Sequence, residues 1–202
     1  MIDKSVEDMC LAYEKFDTNN YPKYALPSGY SFSFYKKGDE VKWAELEVEL
    51  GQFESVEKGV EHFTKDFLKD PILKPEDRML FVIDPSGNYV ATGTLWNFEF
   101  LGKIEQNLHW IAVSDRCAGK GIAKALITRL LDLYNELGYS NYLFLYTGTW
   151  YYPAINIYKK FGFTEYCGER SSVKGMSDSD FKEYNQKAIK IVNEKLEQYK
   201  RR

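Results

Sequence analysis

One stretch of the chain combines residue types that bind anions. In AVSDRCAGKGIAKALITRLL an apolar run ends at Val113, and a glycine-rich turn, Gly119-Lys120-Gly121, leads directly into a helical pattern. Glycine lets the backbone approach a phosphate without a Cβ clash, and the free N–H groups and positive dipole end of a starting helix stabilise its charge. The phosphate loop of nucleotide hydrolases needs Gly at Ser114 and Ser or Thr at Gly121. A dinucleotide fingerprint beginning at Gly119 needs Gly or Ala at Lys124, so neither motif applies. Taken alone, a G-x-G also suits a plain, tight strand-to-helix connection.

The elements around this turn follow from periodicity. After Pro27-Ser28-Gly29, alternation in YSFSFY puts Tyr30, Phe32 and Phe34 on one face of a strand. Asp39 is placed to cap a helix carrying Trp43, Leu46 and Leu50, and Ser55 to cap a second with Val56, Val60, Phe63 and Phe67. A hairpin is expected from Met79–Ile83 through Asp84-Pro85-Ser86-Gly87-Asn88 to a strand from Tyr89 to Phe100. Leu108 to Val113 reads as a further strand, and Ile122 to Leu137 as a long helix stopped by Gly138. Tyr142 to Tyr146 reads as a strand, Pro153 to Phe161 as a short helix, Phe163 to Cys167 as a last strand, and Asp178 to Lys200 as a final amphipathic helix. Residues 1–27 carry no clear pattern.

Composition narrows the function classes. The 202 residues suit one α/β domain with an appendage, and 44% apolar with 16% aromatic residues is ample for a packed core. Lys and Arg number 27 against 30 Asp and Glu, so no positive excess draws the chain to nucleic acid. Residues 1–70 hold 9 basic and 15 acidic side chains and residues 71–202 hold 18 and 15, which favours anion docking on the later part. Cys10, Cys117 and Cys167 are odd in number and widely spaced, arguing against a disulfide framework or zinc site, and two histidines leave no metal motif. With no apolar run long enough to span a bilayer, a cytoplasmic protein without metal or membrane is expected.

A second segment, LYTGTWYYPAINIYKKFGF, places Ala154 and Tyr158 one turn apart on the short helix that ends at Gly162-Phe163. With it the chain resembles the GNAT superfamily of N-acetyltransferases. The family's V-x-x-x-x-(Q/R)-G-x-G-x-(G/A) turn is matched by Val113 to Ala123, and its A-x-x-x-Y-x-x-x-G-F helix by Ala154 to Phe163. The resemblance implies an α/β fold with a mixed central sheet flanked by helices, here with an extra C-terminal helix. The domain is expected over 28–168, after a segment 1–27 and before a helix in 169–202 that packs on it or in a homodimer.

By the same resemblance the chain transfers acetyl from acetyl-CoA to a small-molecule or peptide amine by direct attack in a ternary complex. Pantetheine would pair with the backbone of Ile111, Ala112 and Val113. The pyrophosphate would sit on the turn formed by Ala118, Gly119, Lys120, Gly121, Ile122, Ala123 and Lys124, with Lys160 reaching a CoA phosphate. Tyr158 takes the position of the general acid that protonates the leaving thiolate; among 16 tyrosines only its motif position singles it out. Alternatives are a non-catalytic acyl-CoA-binding regulator and a transferase of another acyl group.

The proton acceptor stays open. His109, with an ordinary pKa of ~6.5 and at even spacing from Ile111 and Val113, is the candidate, against Glu99, Glu105 or a water chain. The family's Gln or Arg at the head of the turn is Ala118 here, so Arg116, Lys120 or Lys124 would have to supply that charge. An Asn the family places after the later strand is Tyr151. For the acceptor, Glu40, Glu45, Glu47, Glu49 and Glu54 with Tyr30, Trp43, Phe53 and Trp96 offer an acidic, aromatic mouth, or simply the wet face of a helix.

Overall fold

In chain order the elements are β1 Cys10–Lys15, β2 Ser31–Phe34, α1 Glu40–Glu49, α2 Val56–Phe67, α3 Pro75–Arg78, β3 Met79–Ile83, β4 Tyr89–Phe100, β5 Lys103–Val113, α4 Ile122–Glu136, β6 Leu143–Gly148, α5 Tyr152–Lys160, β7 Thr164–Glu165 and α6 Asp178–Lys200. They are those of a computed structural model that describes residues 3–69, 73–100, 102–140, 142–168 and 173–200. The fold is α/β, with a mixed sheet flanked by helices and an additional C-terminal helix, as the sequence predicts. Its residues divide into two units, Lys23–Asn97 with Leu108–Tyr139, and Met1–Pro22 with Phe98–Asn107 and Ser140–Arg202. The expected boundary at 169 falls outside the described residues.

The first unit holds the strand order β2-β3-β4-β5. Strand β2 lies antiparallel to β3 with Phe32 opposite Val82, and β3 antiparallel to β4 with Phe81 opposite Thr92. Helices α1 and α2 bury Trp43, Phe63 and Phe67 against Met79 and Phe81, all fully inaccessible. They approach so closely that a Cβ on Gly59 would fall 2.7 Å from the Cβ of Ala44. Ser55 caps α2 by accepting the Lys58 N–H at 3.3 Å, as its position predicts. Asp39 does not cap α1: its carboxylate instead accepts the Lys36 N–H at 2.9 Å and closes the preceding turn. Helix α4 buries Leu126, Leu130 and Leu133, with Gly93 of β4 leaving room for Leu130, and it ends at Gly138 in the left-handed region.

The second unit corrects the reading of the N-terminal residues. Strand β1 pairs antiparallel with β6, from Cys10 opposite Gly148 to Lys15 opposite Leu143, and with β7 on its other edge. Leu11, Ala12 and Tyr13 are all buried, as both faces of an interior strand require. Strand β5 begins five residues earlier than expected, β7 is only two residues long, and the short helix α3 has no counterpart in the sequence reading. Helix α6 packs on α5 and β1, burying Phe181, Ala188, Val192 and Leu196, while its Asn185 donates to the Tyr166 carbonyl at 2.9 Å. Among the described residues no helix is long and apolar enough to cross a membrane.

Candidate functional site

The turn between β5 and α4 is built to leave donors free. Ser114, fully buried, donates its N–H to the Val90 carbonyl at 2.8 Å and its hydroxyl to the Glu49 carboxylate. A single 3-10 turn, Asp115–Cys117, follows, and Gly119 and Gly121 then take φ of +77° and +81°. Among the described residues nothing lies within 4 Å of the position of a Cβ on either glycine, so the backbone is open there. Helix α4 starts at Ile122 without a side-chain cap and with no acidic residue in its first turn. The N–H groups of Ile122, Ala123 and Lys124 precede the first intrahelical bond, which runs from Ala125 to the Gly121 carbonyl at 3.1 Å.

Not every expected donor is free. The N–H groups of Ala118 and Lys120 donate inside the turn, to Asp115 at 3.1 Å and to Cys117 at 3.4 Å. The basic side chains are held locally. Lys120 Nζ donates to Tyr30 Oη at 3.2 Å, Lys124 Nζ lies 5.1 Å from the centre of the Tyr24 ring, and Arg116 sits 3.4 Å from Glu49. Lys120 and Lys124 therefore stand at the open turn, whereas Arg116 is committed to α1. The turn can hold a diphosphate on backbone donors with two cations beside it.

Upstream of the turn, β5 carries an irregularity. Trp110 has φ +47°, the left-handed region where a bulky side chain is strained, and it breaks the two-residue alternation between His109 and Ile111. The shared face inferred for His109, Ile111 and Val113 rests on that alternation and does not carry across the break. Trp110 packs edge-on against Trp43 at 5.1 Å between ring centres, and Phe53 and His62 complete a four-ring cluster with them. His109 packs on Phe67 and Trp110, both at 5.9 Å. Part of its surface is accessible, yet its surroundings desolvate the imidazole enough to push its pKa down to about 4, against an upward pull from Asp66. That keeps it neutral and makes it a poor proton acceptor.

The five glutamates of the expected mouth do not converge. Glu40 accepts from Tyr35 Oη at 2.7 Å and from the Gly38 N–H at 2.8 Å, Glu45 pairs with Lys42 at 2.9 Å, Glu49 holds Ser114 and Arg116, and Glu54 is exposed. Glu47 stands apart with 1% of its surface accessible, and burial alone raises its carboxyl to about 8. The sequence grouped it with four exposed or paired neighbours. Its spacing of four from Trp43 and three from Ala44, on the apolar stripe of α1, is the signal that distinguishes it.

The second unit contains the remaining expected residues. Tyr158, on α5, is 7% accessible and packs edge-on to Phe163 at 6.2 Å. Burial pushes its phenol far above the ordinary range, so it keeps its proton. Lys160 is exposed at the end of α5. Glu99 is exposed, and Glu105 lines a cavity of about 370 Å³ with Glu14, Phe16, Phe100, Phe144 and Tyr166.

The comparisons agree with this architecture. The model of the acetyltransferase (GNAT) family matches residues 42–163. No curated protein sequence matches the chain. Among solved structures, a GCN5-related N-acetyltransferase from Sphaerobacter thermophilus superposes with TM-score 0.60 at 23% identity, covering 79% of this chain and 48% of that one. A GNAT-family acetyltransferase from Colwellia psychrerythraea gives 0.57 at 14%, covering 80% and 55%. Glucosamine-6-phosphate N-acetyltransferase from Arabidopsis thaliana gives 0.52 at 18%, covering 72% and 98%. At these identities the likeness shows the fold alone, and this chain spans about half the length of the first two proteins.

Proposed function

The chain belongs to the GNAT acetyltransferase family, and from that premise we propose that it transfers the acetyl group of acetyl-CoA to a primary amine. The observation that carries this reading is the open turn at Gly119 and Gly121 running into the uncapped first turn of α4. A coenzyme carrying a diphosphate fits the free N–H groups of Gly121, Ile122, Ala123 and Lys124, and its negative charge is complemented by Lys120 and Lys124. Ile111, Ala112 and Val113 are the strand residues that would meet the pantetheine arm.

When bound, acetyl-CoA supplies an acyl thioester, and the protein's own groups manage the protons. Tyr158 keeps its phenolic proton because it is buried, which is the state required of a donor to a leaving thiolate. A phenol is a weaker acid than a thiol by ~1.5 pKa units in water, so the transfer depends on hydrogen-bond contact with the sulfur. The incoming amine must be neutral to attack. His109 is neutral at pH 7 but weakly basic in its desolvated position.

Calorimetric titration with acetyl-CoA tests the reading, with CoA and a nicotinamide dinucleotide as controls. Micromolar binding of acetyl-CoA with no heat from the dinucleotide is the expected result. Absence of acetyl-CoA binding removes the proposal, and a transfer assay following thiol release then has no basis.

A further inference from the structure

Glu47 is the one buried carboxyl among the described residues. Among the same residues its Oε1 has no hydrogen-bond partner, and neither do the indole N–H groups of Trp43 and Trp110, whose rings lie 5.1 Å apart. Leaving a buried carboxyl oxygen unpaired is costly, more so if the group is charged, and a fold tolerates this where a ligand later supplies the partner. Two contacts fix where Glu47 stands. At one end of α1 Trp43 touches Trp110 of β5; at the other Glu49 binds Ser114 just beyond β5. Glu47 lies between Trp43 and Glu49 in the chain, on the buried face of the helix that these two contacts hold against Trp110 and Ser114, the residues flanking Ile111, Ala112 and Val113.

Building on the transfer reading above, we infer that Glu47 receives the proton of the acceptor's ammonium group and that the acceptor is a monoamine on an apolar body. One ammonium proton passes to the Glu47 carboxylate and from it to water. A second leaves the nitrogen as the C–N bond forms and the C–S bond breaks, matching the proton taken up by the departing sulfur. Trp43, on the same buried face of α1 as Glu47, belongs to an aromatic cluster with Phe53, Phe63, Phe67 and Trp110, and the other glutamates of α1 are tied to Tyr35, Lys42, Ser114 and Arg116. A polyamine would bring further ammonium groups, whereas Asp66 on α2 already lies 2.9 Å from Nε2 of His62 in the ring cluster. The elements packed on α1 carry His62 and Asp66 on α2, His109 on β5 and Arg116 after it. Desolvation is nonetheless the sole cause of the raised Glu47 carboxyl, so it rests mostly neutral at pH 7 and ionises when a cation arrives.

Proton counting tests this without acetyl-CoA. Phenethylamine, spermidine and kanamycin are titrated into the protein at pH 7 in phosphate and in Tris, whose different ionisation heats give the protons released per amine bound. The wild type should bind phenethylamine most tightly and release about 0.9 proton, the protonated share of a group titrating near 8. Glu47→Gln should bind it at least tenfold more weakly and release none, with acetyl-CoA affinity unchanged; Glu47→Met replaces it should the amide variant fail to fold. Equal proton release in wild type and variant, no phenethylamine binding by the wild type, or tighter binding of spermidine or kanamycin overturns the inference. A wild type that binds no acetyl-CoA removes the transfer reading and this step with it, and that failure is seen in a separate titration from the proton count.

Discussion

The hydroxyl of Ser114 donates to the carboxylate of Glu49, joining the last turn of α1 to the first residue after β5. Ser114 is fully buried and its N–H is anchored on Val90, so the bond ties the helix to a point the sheet already fixes. From there the chain has only a 3-10 turn before the left-handed glycines Gly119 and Gly121. Helix α1 and the glycine turn thus share one anchor.

Ser114→Ala should lower stability by about 1 kcal/mol in urea denaturation, because Glu49 is partly exposed and regains water once its partner is gone. Acetyl-CoA affinity should fall several-fold as the turn loosens. Combining it with Glu49→Gln should cost less than the two separate losses together. Fully additive losses would mean the hydrogen bond contributes nothing of its own.

Gly121→Ala isolates what the left-handed glycine contributes to binding. At φ +81° with open space around it, an alanine costs about 1 kcal/mol of backbone strain without a clash. Gly138→Ala, at φ +76° beyond the other end of α4 and equally unobstructed, is the matched control. Both should lose similar stability, but only Gly121→Ala should weaken acetyl-CoA, by tenfold or more. Equal coenzyme affinity in the two variants would show that the backbone at Gly121 does not meet the phosphates.

What could be read from residue order alone follows the range of the interactions involved. The glycine turn, α4 and α6 were legible because helix periodicity and left-handed glycines are local signals. Strand β1 was not: CLAYEK has no alternation, and its place is set by pairing with β6, from Leu143 to Gly148, far along the chain. Among Glu45, Glu47 and Glu49 the residue type is identical, and only the register of the middle one with Trp43 and Ala44 on the buried stripe of α1 sets it apart. Likewise no residue type announces the break at Trp110, since a tryptophan at positive φ is held there by its surroundings rather than by its own preference.

Tyr158→Phe keeps the ring that packs on Phe163 and removes only the proton. Turnover at saturating substrates should fall by about ten- to a hundredfold, while acetyl-CoA affinity and thermal stability stay near wild type. An unchanged rate would assign protonation of the sulfur to water.

The two displaced titrations, Glu47 and His109, should tilt stability in opposite directions with pH. Glu47 titrates near 8 when folded against ~4.3 unfolded, so its stabilisation is complete below ~4.3 and is lost as pH rises through about 8. His109 titrates near 4 when folded against ~6.5 unfolded, so its contribution is present above ~6.5 and is lost as pH falls toward about 4. Urea midpoints measured from pH 4 to pH 9 should therefore show Glu47→Gln gaining on the wild type as pH rises and levelling off above about 8. His109→Gln should gain on it only below ~6.5. Because the two windows overlap between ~4.3 and ~6.5, the variants must be compared singly. Curves for Glu47→Gln and wild type that run parallel across the range would show that the carboxyl is solvated in the folded protein, and the case for a proton acceptor on α1 would lose its physical basis.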